Sequence, residues 1–348
     1  MIGANVHQEL LLVERSCQVL GTDASINLAV PPGELIEACA AMEDCLAWLK
    51  VAEQRLSLSN PASELCQLNA RAGHWQPVSD LLLDVVQEAL CQAQASAGLF
   101  DPTPGSYLGT PGNDRAFSPP ADGWRDVQLD AKQRQIYLPT GTWLDLDGIA
   151  KGWAADVVGN RLLRPFANVL VNVGGNLLLR GRKTRYELWT AGLRASKSQP
   201  FVGPTTERAA ITLRRGGLAT EGAIRSEWPH QSHWQPVRGA SQEQVPSPWD
   251  VPEEAVPNEI ESSSFIATAA ALARTAAHAE VAALVALQRG YPEALHVVES
   301  AWRDDKASRP HLPVDHDVAL LLVLNNGEVM FSENMEAYLE RFAGGEKR

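Results

Sequence analysis

Four short segments hold the residue types that could do chemistry. Gly98-Leu99-Phe100-Asp101-Pro102-Thr103-Pro104-Gly105 puts a carboxylate and a hydroxyl on a proline-stiffened turn. In such turns an Asp side chain fastens nearby backbone amides. Asp145-Leu146-Asp147-Gly148-Ile149-Ala150-Lys151-Gly152 sets two carboxylates and an ammonium among glycines that let backbone approach a ligand closely. At a helix start, free amides add to the attraction for an anion. Asn172-Val173-Gly174-Gly175-Asn176 interrupts an apolar strand with paired glycines, which predicts a bulge facing a ligand. Leu218-Ala219-Thr220-Glu221-Gly222, followed by Arg225, His230, His233 and Pro236, could bring a hydroxyl and a histidine to one place for acid–base work. Three of these segments also have a plainer reading: a capping turn for the first, a strand-to-helix junction with a surface lysine for the second, and histidines of the surface or core for the fourth.

Several familiar chemistries are excluded by missing patterns. The chain has no GxGxxG dinucleotide fingerprint, no GxxxxGK[ST] phosphate loop, no GxSxG elbow and no HExxH pair.

The elements that must position these segments read as a mixture of helices and hairpins. Leu20–Val30 alternates weakly and predicts a strand. A helix is predicted from about Gly33 to Arg55, with Leu35, Cys39, Met42, Leu46 and Leu49 at helical spacing. Ser63 is placed to cap a short helix, and Val78–Ala97 reads as an amphipathic helix ending at Gly98. Short strands are expected near Val127–Leu129 and Gln135–Leu138. The segment beginning Trp143-Leu144-Asp145 should pass from strand into helix at Gly148. An alanine-rich run, Ile266–Leu287, reads as a helix, and Asn326-Gly327 as the turn of a final hairpin. The order predicts an α+β fold rather than a parallel α/β sheet.

Composition narrows the function classes. Of 348 residues, 45% are hydrophobic and 21% charged, which excludes a disordered or collagen-like chain. Thirty Lys and Arg against 42 Asp and Glu give a net charge of −12, and the pI is near 5.2. That balance argues against a nucleic-acid partner, though not against nucleotides held by amides and a metal. Residues 239–264 carry six of the acids and no Lys or Arg among prolines and serines, and read as an inserted surface loop bordering the site. No membrane span is expected, because the most apolar run holds Arg274, His278 and Glu280. The first residues lack a leader pattern, so a cytoplasmic location is expected. Five cysteines, all within the first 91 residues and none in a CxxC pair, read as buried apolar thiols.

Taken in order, these segments resemble the ApbE family of FAD:protein FMN transferases. Leu20-Gly21-Thr22 is similar to the family's opening "MGT", and Ser63-Glu64-Leu65 with Leu68-Asn69 to its "dSe…lN". Gly98–Gly105 resembles "GxFDPTxG", Asp145–Gly152 "DLGgiAKG", Val173–Asn176 "xGGn", and Ala219–Gly222 "aTSG". The resemblance implies one ApbE-like (T-fold-like) domain over residues 1–348, with two lobes possible, mixed and antiparallel sheets with packed helices, and a flavin site in a central cleft. It implies transfer of FMN from FAD to a Thr or Ser hydroxyl of an acceptor flavoprotein, with AMP leaving and Mg²⁺ assisting. Phe100, Asp101, Pro102, Thr103, Asp145, Lys151, Gly174, Gly175, Thr220 and Arg225 would line the flavin site. The Ala150 carbonyl and Glu280 would hold the metal, and His233, Glu280 and Asp147 would carry the catalysis.

The departures are specific. The family's late-helix "ADaxxTA" metal motif fits in two registers. One puts Glu280 at the Asp place and Leu284 at the Thr place; the other puts Arg274 and His278 there. The first keeps an acid, although leucine cannot ligate. Gln235 replaces the Asp of "HxxDP", where His233 is also displaced by one position. Glu221 replaces the Ser of "TSG", and Asp147 a Gly. These changes leave two other readings open: a flavin-binding protein that has lost transfer, and a metal-dependent FAD hydrolase.

Overall fold

The computed structural model describes residues 9–103, 123–194, 207–222, 266–301, 318–324 and 326–342. In chain order the strands and helices are β1 (Leu11–Val19), β2 (Thr22–Val30), α1 (Leu35–Leu56), α2 (Glu64–Ala70), β3 (Trp75–Pro77), α3 (Asp80–Ala95), β4 (Gln128–Asp130) and β5 (Gln135–Tyr137). Then come α4 (Ala150–Leu162), β6 (Val169–Val173), β7 (Asn176–Arg180), β8 (Trp189–Arg194), β9 (Glu207–Leu213), β10 (Arg215–Gly222) and β11 (Ile266–Ala273). The chain continues through α5 (Ala276–Arg289), α6 (Glu293–Ala301), β12 (Ala319–Leu324), β13 (Val329–Phe331) and β14 (Leu339–Phe342).

The central feature is an eight-stranded sheet in the order β1-β2-β6-β7-β10-β11-β12-β13. Every strand pairing among the described residues is antiparallel. Helices α1, α4 and α5 bury apolar faces against one side, where Met42, Leu49, Val158 and Val281 meet Ile26, Val171 and Leu322. The small sheet β14-β9-β8 covers part of the other side, with Trp189, Ile211 and Leu213 packed on Leu179, Leu218, Leu272 and Leu321. The architecture is the expected mixture of antiparallel sheets and helices.

The double cover explains the largest difference from expectation. Ile266–Ala273 is a strand, and only Ala276–Arg289 of the alanine-rich run is helical. All eight residues of β11 are buried, because both sheet faces are occupied there. A strand with two apolar faces shows no alternation, so its alanines read like a helix.

Three other junctions differ. Leu20-Gly21 is a hairpin turn with φ of 53° and 67°, not the start of a strand. It joins β2 to β1, a strand the sequence pattern did not reveal. Gly174-Gly175 is likewise a two-residue turn between β6 and β7, with φ of 62° and 91°. Paired positive φ angles are what such a turn needs and what glycine tolerates, so it is no bulge. Residues 142–147 form no strand; side chains and loops hold them in place instead.

All five cysteines are free. Cys45 is buried, whereas the other four are partly exposed. Among the described residues no helix is long and apolar enough to cross a membrane.

Candidate active site

The site is built from loops pinned by buried polar side chains. Ser63 caps α2 by accepting the Cys66 N–H, which orients Asn69 at the far end of that helix. The buried Asn69 amide then grips Leu144 in both directions. Its Nδ2 donates to the Leu144 carbonyl at 2.9 Å, and its Oδ1 accepts the Leu144 N–H at 2.8 Å. The next residue, Asp145, donates its N–H to the Pro102 carbonyl at 2.9 Å. The two acid-bearing segments are thereby tied together.

Within the first segment, Asp101 Oδ1 accepts the Thr103 N–H at 2.7 Å and the Thr103 hydroxyl at 2.6 Å. Burial pushes the Asp101 carboxyl up, against the pull of those two bonds and of Arg125. Asp145 Oδ1 accepts the Asp147 N–H at 2.9 Å, which turns the chain into α4. Asp147 stays exposed. A Cβ on Gly148 would lie 2.6 Å from Leu284 Cδ2 and 3.3 Å from Phe100 Cε2. Glycine there lets the loop sit directly on α5.

Helices α4 and α5 meet at their N-termini. A Cβ on Gly152 would lie 2.5 Å from the Ala276 carbonyl oxygen, so the helix backbones touch at this point. Asp156, one turn on, accepts the Ala276 and Ala277 N–H groups at 2.8 and 2.9 Å. Glu280 returns the arrangement: its Oε2 accepts the Gly152 N–H at 2.7 Å. Each helix thus supplies a carboxylate to the positive end of the other. Both acids are buried, and burial pushes Asp156 up to about 7 despite its amide donors.

Lys151 closes the cluster. Its Nζ lies 2.9 Å from Glu280 Oε1 and donates to the Asp147 carbonyl at 2.9 Å. Asn176 Nδ2 approaches the same Glu280 oxygen at 3.4 Å. Burial alone would lower the Lys151 pKa, but Glu280, Glu221 and Asp147 together raise it, so the ammonium is kept. A Cβ on Gly174 would lie 3.2 Å from Lys151 Cδ and 2.8 Å from Thr22 Cγ2. One on Gly175 would lie 2.8 Å from Thr220 Oγ1, and that hydroxyl donates to the Gly175 carbonyl at 3.4 Å.

The structure therefore brings together Phe100, Lys151, Gly174, Gly175, Thr220 and Glu280, with Asp145, Asp147 and Ala150 on the connecting segment and the Asp101-Pro102-Thr103 turn bonded to it. Of the two registers for α5, the one through Glu280 and Leu284 reaches Gly148–Gly152; Arg274 precedes the helix. His233, Arg225 and the acidic segment 239–264 lie outside the described residues. Sequence reasoning gave no role to Asn69, Asp156 or Asn176, or to Glu221, whose carboxyl burial pushes up to about 7. Asn69, Asn176 and Glu221 fall within the family-like motifs, but nothing in those motifs told what each side chain would bind.

The donor set does not suit a divalent cation. Mg²⁺ wants near-octahedral oxygen ligands at short range. Both Glu280 oxygens are already engaged, by the Gly152 amide and the Lys151 ammonium. Leu284, at the second expected ligand position, is buried and offers no oxygen. Among the described residues no three His, Cys, Asp or Glu side chains are grouped to hold a metal. An ion bound to Glu280 Oε1 would stand within about 5 Å of the ammonium, a repulsion of at least ~7 kcal/mol at an effective dielectric of 20.

Comparison with known proteins places this geometry in context. The model of the ApbE family matches residues 20–247. The fold is similar to the ApbE protein of Thermotoga maritima (19% identical, covering 95% of this chain and 100% of that one, TM-score 0.66). It is similar to the flavinyl transferase ApbE of Pseudomonas stutzeri in its apo form (18%, 95% and 98%, TM-score 0.67). The flavin transferase ApbE from Vibrio cholerae is comparable (19%, 95% and 100%, TM-score 0.66). No curated protein matches the sequence.

Proposed function

The chain belongs to the ApbE family, and from that premise we propose that it is a flavin transferase that moves FMN from FAD onto a Thr or Ser hydroxyl of an acceptor flavoprotein. The acceptor oxygen attacks the flavin-side phosphorus, the bridging P–O bond breaks, and AMP leaves with the bridging oxygen. The hydroxyl proton passes to a base.

The observation that carries the reading is the convergence on Lys151 of segments far apart in the chain: the Gly174 turn, itself packed on Thr22, against its stem, and Asp147 and Glu280 on its ammonium. Lys151 then faces the FAD diphosphate, where a fixed cation stabilises charge that grows on the leaving phosphate. Gly174 and Gly175 give the flavin nucleotide close access to backbone, with Thr220 and the Phe100–Thr103 turn alongside. Glu280 has no exposed surface, so it holds Lys151 and the first turn of α4 rather than touching substrate. Asp147, exposed beside Lys151, is the proton acceptor in this reading, and His233 and Arg225 keep the catalytic and flavin-binding roles that the family resemblance implies. Magnesium is given no step, because the donors around Glu280 do not suit it.

The test is incubation with FAD and a Thr-bearing acceptor domain, following AMP release and denaturation-stable flavin on the acceptor. Both products support transfer. AMP with free FMN would instead identify an FAD hydrolase, and tight FAD binding with neither product a binding protein.

A further inference from the structure

We infer that the Lys151 ammonium is this chain's built-in substitute for a divalent cation, so that FAD binding at this site is independent of divalent metal. The inference rests on the function proposed above and concerns how the same site meets the diphosphate charge.

Three observations carry it. The ammonium is already the counter-charge of Glu280, at 2.9 Å from Oε1, and the carboxylate is wholly buried. A buried carboxylate needs one cation, and a second, doubly charged one on the same oxygen is repelled. Next, the α5 residue one turn beyond Glu280 is Leu284, whose Cδ2 packs on Gly148. Apolar contact thus fills the space where a second oxygen ligand would have to stand. Finally, Lys151 is built to receive an anion. An ammonium has three N–H donors; Glu280 and the Asp147 carbonyl take two of them. A quarter of the side-chain surface stays exposed, and the third donor is the one assigned to a phosphate oxygen.

Two other acids, Glu221 and Asp147, act on this charge and favour the ammonium form. Asp147 is exposed and screened by water. Glu221, half-buried near the end of β10, has Lys151 as its attractive partner.

The experiment is a Mn²⁺ titration of the full-length protein, read by the EPR signal of free aqueous Mn²⁺, alongside FAD affinity from flavin fluorescence in EDTA and in Mg²⁺. The expected result is no bound Mn²⁺ below the millimolar range, and FAD dissociation constants that agree within about twofold in the two buffers. Lys151→Met, which leaves Glu280 without its cation, is expected to bind Mn²⁺ at least about tenfold more tightly than the natural protein. One tight Mn²⁺ site in the natural protein, abolished by Glu280→Gln, would overturn the inference and leave the transferase reading standing. So would FAD that binds about tenfold more tightly with Mg²⁺ than with EDTA. FAD that binds in neither buffer would overturn both.

Discussion

Asp156 and Glu280 cap each other's helices. Asp156 in α4 accepts two amides at the start of α5, and Glu280 in α5 accepts the Gly152 amide in the first turn of α4. The pair fixes the angle and depth at which the two N-termini meet. Lys151 stands at that junction, so its position is set by both helices rather than by one loop.

Removing one half of this exchange should loosen the junction. Asp156→Ala strips two charge-assisted bonds from buried amides, and a cost of ~1–3 kcal/mol is expected. Urea denaturation would show it as a lower midpoint. Asp156→Asn should lose less, because its one carbonyl oxygen still accepts a hydrogen bond.

Gly152→Ala tests the close contact itself. The added Cβ would meet three backbone atoms of Ala276 and Ala277 at 2.5 to 2.7 Å. Backbone cannot yield as a flexible side chain can, so the helices must separate, at ~1–3 kcal/mol. The displacement carries Lys151 with it, and FAD affinity should fall together with stability. Unchanged affinity would show that the helix junction does not position the ligand.

Much of the site was legible because glycines and charges in short runs leave a mark in sequence. Lys151, Gly174, Gly175, Thr220 and Glu280 stand out as residue types, and their family resemblance put them in order. The fold around them was read less well where burial erased periodicity: β11 lies between two layers and is all alanine, leucine, isoleucine and threonine. The polar residues that pin the site were the least legible. Asn69 and Leu144 are 75 positions apart, and nothing in either local pattern announces the other.

Asn69→Ala is the matching test. It leaves the Leu144 N–H and carbonyl buried without their partner, a loss of ~1–3 kcal/mol. It also frees the segment carrying Asp145 and Asp147. The rate of AMP release should fall more than FAD affinity, because in the proposed reaction the exposed Asp147 takes the acceptor hydroxyl's proton. Equal losses in both would assign Asn69 to binding alone.

A pH dependence follows from Glu221. Burial raises its carboxyl from an ordinary 4.5 to about 7, with Lys151 opposing and Glu280 adding to the rise. Between those values the folded protein holds the proton that the unfolded chain has lost. Stability from this group is therefore greatest below about 4.5 and declines as pH rises towards about 7. Glu221→Gln should flatten that part of the stability profile, measured by thermal melts across pH 4.5 to 8. An unchanged slope would mean that Glu221 is ionised throughout.

Flavin transfer at Lys151 is tested most directly by one comparison: denaturation-stable flavin on an acceptor domain, made from FAD by the natural protein and by Lys151→Met, each shown to be folded by circular dichroism. The predicted result is fluorescent acceptor with the natural protein and a loss of about a hundredfold or more with the variant. Equal labelling by the two proteins would contradict the placement of flavin transfer at Lys151.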